Sequence, residues 1–289
     1  MKFSFTSLGC ASAQPTVNRF PSAHVLNVHE RLFLIDCGEG CQMQLRKYGY
    51  SFLKIQNIFI SHIHGDHIFG IYGLLSTMSM LGRTAELFIY APQTFSEILT
   101  NFLKHFGDSF KYEITHKILK PGGLVKIYDG KSMEILSFPL NHRIDCYGFL
   151  FREKQQEIAR LKEGEDLVRD YSPYEPRSFA YCSDTAPYKE IYEYVKGVDL
   201  LYHEATFASD MDGLAQATMH STARDAANVA LHAGAKKLII GHYSSRYKNI
   251  NVLLNEAKEV FEETYLADEG KEFDLPLDAS NTIKNEKNC

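Results

Sequence analysis

The sequence predicts an α/β protein built as a four-layer αββα sandwich, in which two mixed sheets pack face to face and helices cover both outer faces. Strand-like segments open the chain and recur in its second half, and helical segments lie between them. Hydrophobic residues make up 45% of the 289 residues, which is enough for one large core. We expect one catalytic domain over residues 1–267 and a polar, fraying tail over residues 268–289.

The first half of the chain opens with a predicted β-meander and continues with alternating strands and helices. The expected strands cover residues 3–8, 23–28, 32–36, 57–60 and 86–90, and the expected helices cover residues 41–48, 68–81 and 94–106. Residues 112–140 indicate further strands, because Pro-Gly-Gly and Asp-Gly breaks divide them.

In the second half, strands predicted at 178–182, 198–202 and 237–240 each end in a polar cluster. Ser221 or Thr222 is a suitable N-cap for the helical run that follows them, and a last helix is expected over 250–264. Residues 152–177 are charged and poor in apolar side chains, so we expect a short insertion with an exposed helix and a loop.

Composition narrows the class of protein. The net charge of −5 argues against a broadly basic nucleic-acid surface, so any RNA binding should be local. No run of about 18 apolar residues predicts a membrane span. The six cysteines form no Cys-x-x-Cys pair, which favours reduced thiols in a cytoplasmic protein, and Cys37 and Cys41 are expected to pack beside a turn.

A cluster of potential metal ligands follows the strand at 57–60. His62, His64, Asp66 and His67 fall within six residues, and a loop beyond a strand end can aim them at one point, with Gly65 allowing a sharp turn. The alternatives are a histidine-rich surface loop and a site for a single ion. Zinc needs about four ligands, so we expect further donors from polar residues just past other predicted strands: His142, Asp184 and His242.

This order of residues resembles the metallo-β-lactamase superfamily. The resemblance implies two Zn²⁺ ions per chain, one held by His62, His64 and His142 and the other by Asp66, His67 and His242. It also implies that Asp184 bridges the ions together with a water, and that Asp36 orients the histidine loop from behind. Mn²⁺ or Fe²⁺ would also suit imidazole and carboxylate ligands.

Further segments resemble the ribonuclease Z family: residues 8–19, 34–42, 203–207, 220–223 and 241–247. By this resemblance Glu204 orients His220, which donates a proton to the leaving 3′ oxygen, and Arg246 contacts substrate phosphate. We expect Asp66, Glu204 and His220 to be the catalytic residues. The alternatives are that Glu204 and His220 begin or cap helices, and that Arg246 forms a surface salt bridge.

The resemblance implies a zinc-dependent endoribonuclease that cleaves precursor tRNA after the discriminator base, leaving a tRNA 3′-hydroxyl and a trailer 5′-phosphate. It also implies a homodimer. A small-molecule phosphodiesterase or another hydrolase of this fold is the alternative, favoured by the negative charge and by an insertion that lacks the family's Gly-Pro arm. A reduced arm would dock tRNA through Lys154, Arg160, Lys162 and Arg169. A binding module without catalysis is the third hypothesis.

Overall fold

The computed structural model describes residues 1–155, 157–161, 167–171 and 174–277. The first sheet contains β1 (Phe3–Gly9), β2 (Ala23–Val28), β3 (Arg31–Cys37), β4 (Ile55–Phe59), β5 (Leu87–Ala91), β6 (Ile114–Ile118) and, from the far end of the chain, β16 (Glu272–Asp274). The strand order is β16-β1-β2-β3-β4-β5-β6.

The second sheet also has seven strands among the described residues. They are β7 (Val125–Asp129), β8 (Met133–Pro139), β9 (Tyr147–Glu153), β12 (Ser178–Cys182), β13 (Leu200–Glu204), β14 (Leu238–Gly241) and β15 (Thr264–Leu266). Their order is β15-β14-β13-β12-β9-β8-β7, and a separate antiparallel pair joins β10 (Glu157–Leu161) to β11 (Leu167–Tyr171).

The α-helices lie outside the two large sheets or at their ends. They are α1 (Cys41–Lys47), α2 (Gly65–Ile68), α3 (Ile71–Met80), α4 (Phe95–Phe106), α5 (Ile191–Tyr194), α6 (Asp212–Thr218), α7 (Ala223–Ala233) and α8 (Asn251–Lys258). Short 3₁₀ helices cover Phe52–Lys54, Gly107–Ser109 and Ser209–Met211.

Successive side chains of a strand point to opposite faces of the sheet, so strands of the first sheet contribute to two separate cores. In β3, Phe33 and Ile35 face the core between the sheets, whereas Leu32 and Leu34 face the core beneath α1, α3 and α4. Aromatic rings join the sheets directly, with Phe5 and Phe179 having ring centroids 5.0 Å apart. Helices α5, α7 and α8 cover the second sheet. The predicted αββα order is confirmed.

Strand direction brings the polar clusters to one edge. Strands β3 and β4 are parallel, as are β12, β13 and β14, and β8 runs with β12 because both are antiparallel to β9. The residues that follow these strands therefore meet at the same end of the sandwich, which is where ligand sites of α/β sheets form.

Three local predictions were wrong. The insertion forms the β10–β11 hairpin rather than a helix, since Ile158, Val168 and Tyr171 favour strand pairing. The last helix ends at Lys258, and Thr264–Leu266 becomes β15 beside β14. The expected tail supplies β16, which pairs with β1, and the rest of that tail from residue 278 lies outside the described residues.

The five described cysteines, among them Cys37 and Cys41, are buried and form no disulfide. No helix within the described ranges combines the length and the apolar character that crossing a bilayer requires.

Candidate metal centre

The first group of potential ligands comes from three loops at the common edge. Nε2 of His62 lies 3.0 Å from Nδ1 of His64, and Nε2 of His142 lies 3.4 Å from the same Nδ1 atom. Oδ2 of Asp184 completes the group, 3.5 Å from His62 Nε2 and 3.9 Å from His142 Nε2. These four atoms surround one point.

The second group lies on the other side of Asp184. Nε2 of His67 is 3.3 Å from Nε2 of His242, and Oδ2 of Asp66 is 3.4 Å from that same His242 atom. Oδ1 of Asp184 lies 3.4 Å from His67 Nε2 and 3.3 Å from His242 Nε2. Each carboxylate oxygen of Asp184 therefore faces a different group.

The donor set fits divalent metal ions. Four donors at zinc–nitrogen distances of about 2.0–2.1 Å in a tetrahedron would stand about 3.3–3.4 Å apart, and the observed separations of 3.0–3.9 Å bracket that value. Asp184 Oδ1 is buried and has no hydrogen-bond donor among the described residues. A buried carboxylate oxygen without a partner is costly, and a cation between it and the two imidazoles would satisfy it.

Hydrogen bonds behind the ligands fix the ring orientations. Nδ1 of His67 lies 2.7 Å from Oδ2 of Asp36, which also accepts from Tyr181 Oη and Ser61 Oγ. Nδ1 of His142 donates to the Met219 carbonyl oxygen at 2.9 Å. Because Nδ1 is engaged in both rings, Nε2 is left to face the ligand group.

His242 is oriented through a hydroxyl group. Its Nδ1 lies 3.0 Å from Thr206 Oγ1, which in turn donates to Oε2 of Glu204 at 2.7 Å. Thr206 thereby connects the second ligand group with the predicted acid pair. Sequence reasoning gave Thr206 no role, because its contact with His242 depends on how two loops meet.

Left-handed backbone conformations concentrate at the site. Asp36, His242, Met219 and Ala13 have φ values of 54°, 61°, 57° and 62°. His242 contributes a potential ligand atom, and Asp36 and Met219 form hydrogen bonds with the rings of His67 and His142. The backbone N–H of Ala13 donates to Asp66 Oδ2 at 2.7 Å. Such conformations cost about 1–3 kcal/mol each and persist at sites where the surroundings require them.

Gly65 has a role different from the one expected. It begins α2 and lacks the positive φ of a sharp turn, and a Cβ atom there would lie 2.2 Å from the Phe69 ring. Close approach is instead required at Gly70, where a Cβ atom would lie 2.1 Å from the Gly38 carbonyl oxygen. This approach sets α2 and its two ligands against the end of β3.

The predicted acid pair is formed. Glu204 is fully buried, and its Oε1 atom lies 2.9 Å from Nδ1 of His220. The carboxylate also accepts backbone hydrogen bonds from Thr185, Thr206 and Ser221 at 3.0–3.1 Å. Neither residue caps a helix, because Thr222 caps α7 through a capping box.

Burial and neighbouring charges set the protonation states of the histidines and carboxylates in the site. Burial lowers the pKa values of His62, His64 and His142, so these imidazoles are neutral at neutral pH, the form that binds a metal. Burial opposes ionisation of Asp184, yet the surrounding imidazoles hold its pKa well below the usual range. Burial also opposes protonation of His220, but the Glu204 and Asp184 carboxylates raise its pKa to about 9.

An open cavity of about 540 Å³ leads to both groups. Its lining includes His64, Asp66, His142, Asp184, His220 and His242, together with Glu39, Phe69 and Arg143. Arg143 is the one Lys or Arg among the described lining residues, and sequence reasoning missed it beside His142. Arg246 is exposed outside this lining, with Nη1 3.5 Å from Ser244 Oγ, so its predicted phosphate contact stays a prediction.

Comparisons with known proteins agree with this geometry. A family model described as Anti-Pycsar protein Apyc1 matches residues 3–264. Ribonuclease Z of Bacteroides fragilis is 44% identical over 93% of this chain and 97% of its own length, and ribonuclease Z of Bacteroides thetaiotaomicron is 44% identical over 93% and 94%. These values far exceed what a shared fold alone requires.

Solved structures extend the similarity to three dimensions. The crystal structure of human tRNase Z, short form, has a TM-score of 0.78 and 28% identity, covering 95% of this chain and all of that one. The metallo-β-lactamase fold protein YhfI from Bacillus subtilis has a TM-score of 0.75 at 22% identity, over 95% of this chain and all of its own. The predicted metallo-β-lactamase fold is therefore confirmed.

Proposed function

Because this chain belongs to the ribonuclease Z family and to the family described as Anti-Pycsar protein Apyc1, we propose that it is a metal-dependent endoribonuclease acting on precursor tRNA. It cuts after the discriminator base and leaves a 3′-hydroxyl on the tRNA and a 5′-phosphate on the trailer. The human and Bacteroides proteins that resemble it are named for tRNA cleavage or as ribonuclease Z.

One observation carries the proposal: two groups of ligand atoms share Asp184 at the floor of an open cavity. His62, His64 and His142 with Asp184 Oδ2 would hold one ion, and Asp66, His67 and His242 with Asp184 Oδ1 the other. The site takes divalent metal, and we propose two Zn²⁺ ions. Bound there, the ions would make hydroxide available near neutral pH and offset charge on the phosphoryl oxygens.

The chain's own residues supply the proton for the leaving group. His220 lines the cavity, and Glu204 engages its Nδ1 atom, so Nε2 can meet the substrate. A pKa of about 9 keeps His220 protonated at neutral pH, ready to donate to the departing 3′ oxygen. Asp66, a member of the second group whose Oδ2 accepts from the Ala13 backbone N–H, is proposed to take part in catalysis as well.

Arg143 is proposed to bind substrate phosphate inside the cavity. Its guanidinium donates to the Ala217 carbonyl oxygen, which holds the side chain at the cavity wall. A guanidinium fork can bind two phosphate oxygens at once. Arg246 remains a second candidate, outside the cavity lining, for phosphates farther along the RNA.

Incubating the purified protein with a precursor tRNA and mapping the cut tests the proposal. We expect cleavage directly after the discriminator base, loss of cleavage with a chelator, and recovery on addition of Zn²⁺. A small-molecule phosphodiesterase is the second candidate, favoured by the net charge of −5. Turnover of a model diester without cleavage of the tRNA would select that candidate and reject ours.

A homodimer and a cytoplasmic location complete the proposal. An apolar groove between α3 and α4 supports the homodimer, and the five described cysteines, which form no disulfide, support a reducing compartment. The arm residues Arg160, Lys162 and Arg169 have no described side chains, while Lys154 pairs with Asp129. tRNA docking by this short arm stays a prediction.

A further inference from the structure

We propose that Phe69 is a base-stacking platform in the cavity and binds a nucleobase next to the scissile phosphodiester. The inference rests on the proposed function, since it requires a nucleic-acid substrate. It adds a specificity-determining contact to a site otherwise described by its metal ligands and acid pair.

The backbone on both sides of Phe69 is held rigidly beside the ligand groups. Two residues earlier, His67 is fixed by Asp36. One residue later, the Gly70 N–H donates to the Cys37 carbonyl oxygen at 2.8 Å, in a contact too close for any Cβ atom. The Cα atom of Phe69 is therefore fixed relative to the metal centre.

The Phe69 ring itself is left open. The ring lies against Gly65, between His64 and Asp66, where a Cβ atom would come within 2.2–2.9 Å of three ring carbons. The residue is 61% exposed, and it belongs to the lining of the cavity. A large apolar ring beside the titratable side chains of the cavity is thus available to a ligand.

A nucleobase is the ligand that suits this position. A substrate whose phosphodiester reaches the two ligand groups must place its flanking bases within a few ångströms of the cavity wall. Aromatic side chains bind unstacked bases through their faces, and every base offers such a face. The charged contacts of the cavity, from Arg143 and the ligand groups, would hold the phosphate while Phe69 holds the base.

Single-turnover cleavage by wild type and Phe69→Leu tests this inference on three precursor tRNAs. One is intact, one has an abasic nucleotide just 5′ of the cut, and one has it just 3′. We expect Phe69→Leu to lower kcat/KM on intact RNA by roughly tenfold to a hundredfold, the loss expected for one stacking contact. On one of the abasic substrates the two proteins should be equal, and Phe69→Tyr should retain wild-type cleavage.

Two results would overturn the platform. One is equal cleavage of intact RNA by wild type and Phe69→Leu. The other is a Phe69→Leu defect that persists undiminished on both abasic substrates, since this would mean that the ring acts only through structure. Metal content measured on each protein must match. If wild type fails to cut intact precursor tRNA, the proposed function fails first, and this inference fails with it.

Discussion

At the residue scale, Asp184 connects the two groups of potential ligands, because each of its two carboxylate oxygens faces a different group. Its position could be predicted only in part. The sequence shows a polar residue after a strand, and the structure shows the bridging orientation and the oxygen without a donor. The cluster from His62 to His67 was easier to predict, since four potential ligands within six residues are a strong local signal.

Replacing Asp184 with Asn should therefore remove more than one contact. The amide cannot offer two anionic oxygens, so we expect bound metal to fall below one ion per chain and cleavage to fall by at least about a hundredfold. Metal analysis by mass spectrometry and a cleavage assay measure the two effects. Asp108→Asn, an exposed aspartate away from the cavity, is the matched control and should change neither.

His220 gives a second prediction at this scale. His220→Asn should lower cleavage about 10²–10⁴-fold with bound metal unchanged, because it removes a proton donor and not a ligand. In wild type the donor form is complete at neutral pH and is lost as pH rises through about 9. A pH–rate profile should show that alkaline decline, and its persistence in His220→Asn would assign it to another group.

Contacts that depend on loop conformation were beyond the sequence. Thr206 reaches His242 across two loops, and the Met219 carbonyl reaches His142 from a residue with a positive φ. Arg143 was overlooked because one arginine beside a ligand has no distinguishing pattern. Residues of this kind adjust the ligands, and only their neighbours in space show what they do.

At the scale of elements, strand ends explain why much of the site was predictable. Neighbouring parallel strands end at the same edge of a sheet, so the residues that follow them lie close together. Strands predicted from the hydrophobic pattern therefore indicate where the potential ligands lie. The hairpin β10–β11 escaped prediction because charged residues interrupt its apolar ones, which made the segment look like an exposed helix. Strands β15 and β16 are three residues long, too short for a pattern.

The pair α3 and α4 presents the surface that we assign to the homodimer. Helix α3 contains no charged residue, and the groove of about 610 Å³ beside it is lined by Tyr72, Phe102 and Phe106. Phe106 is 64% exposed. A twofold axis brings the same patch of both subunits together, so the patch must be complementary to itself. An uncharged patch that holds both a groove and the protruding Phe106 ring meets this requirement.

Phe106→Glu should break that association, because it places two like charges in an apolar contact. We expect light scattering coupled to gel filtration to show a dimer for wild type and a monomer for this variant. Leu231→Glu, on the exposed face of α7, is the control and should stay dimeric. A wild-type protein that is monomeric at micromolar concentration would contradict the assignment.

At the scale of the whole molecule, one buried ion pair joins distant parts of the chain. Arg177 donates to both oxygens of Glu153 at 2.7–2.9 Å, and its Nη1 donates to the Leu275 and Met1 carbonyl oxygens. His29 Nε2 lies 2.7 Å from the same carboxylate. Arg177 was expected at the border of an exposed insertion, and its burial depends on Met1 and Leu275 meeting there.

This pair should contribute to stability in a pH-dependent way. Burial opposes ionisation of Glu153, but hydrogen bonds from Arg177 lower its pKa below the usual value. Its contribution is thus present above the unfolded pKa of about 4.3 and is lost as pH falls through the lower folded value. Glu153→Gln should cost about 3–5 kcal/mol at pH 7, because it leaves Arg177 buried without its partner.

Thermal unfolding from pH 3 to pH 8 measures this contribution. The Tm difference between wild type and Glu153→Gln should be constant near neutral pH and shrink below about pH 4. Taking the difference cancels the acid sensitivity of the metal site, which both proteins share. Glu193→Gln, on an exposed ion pair, should leave the Tm unchanged, and a pH-independent gap for Glu153→Gln would contradict the linkage.

The proposed mechanism requires two cations that share Asp184. A crystal structure of the zinc-loaded protein, with anomalous difference maps recorded on both sides of the zinc edge, tests it most directly. We predict two peaks about 3.5–4 Å apart, one beside His62, His64 and His142 and the other beside Asp66, His67 and His242. A map without peaks at Asp184, or with a single ion bound to only one of its oxygens, would contradict the account.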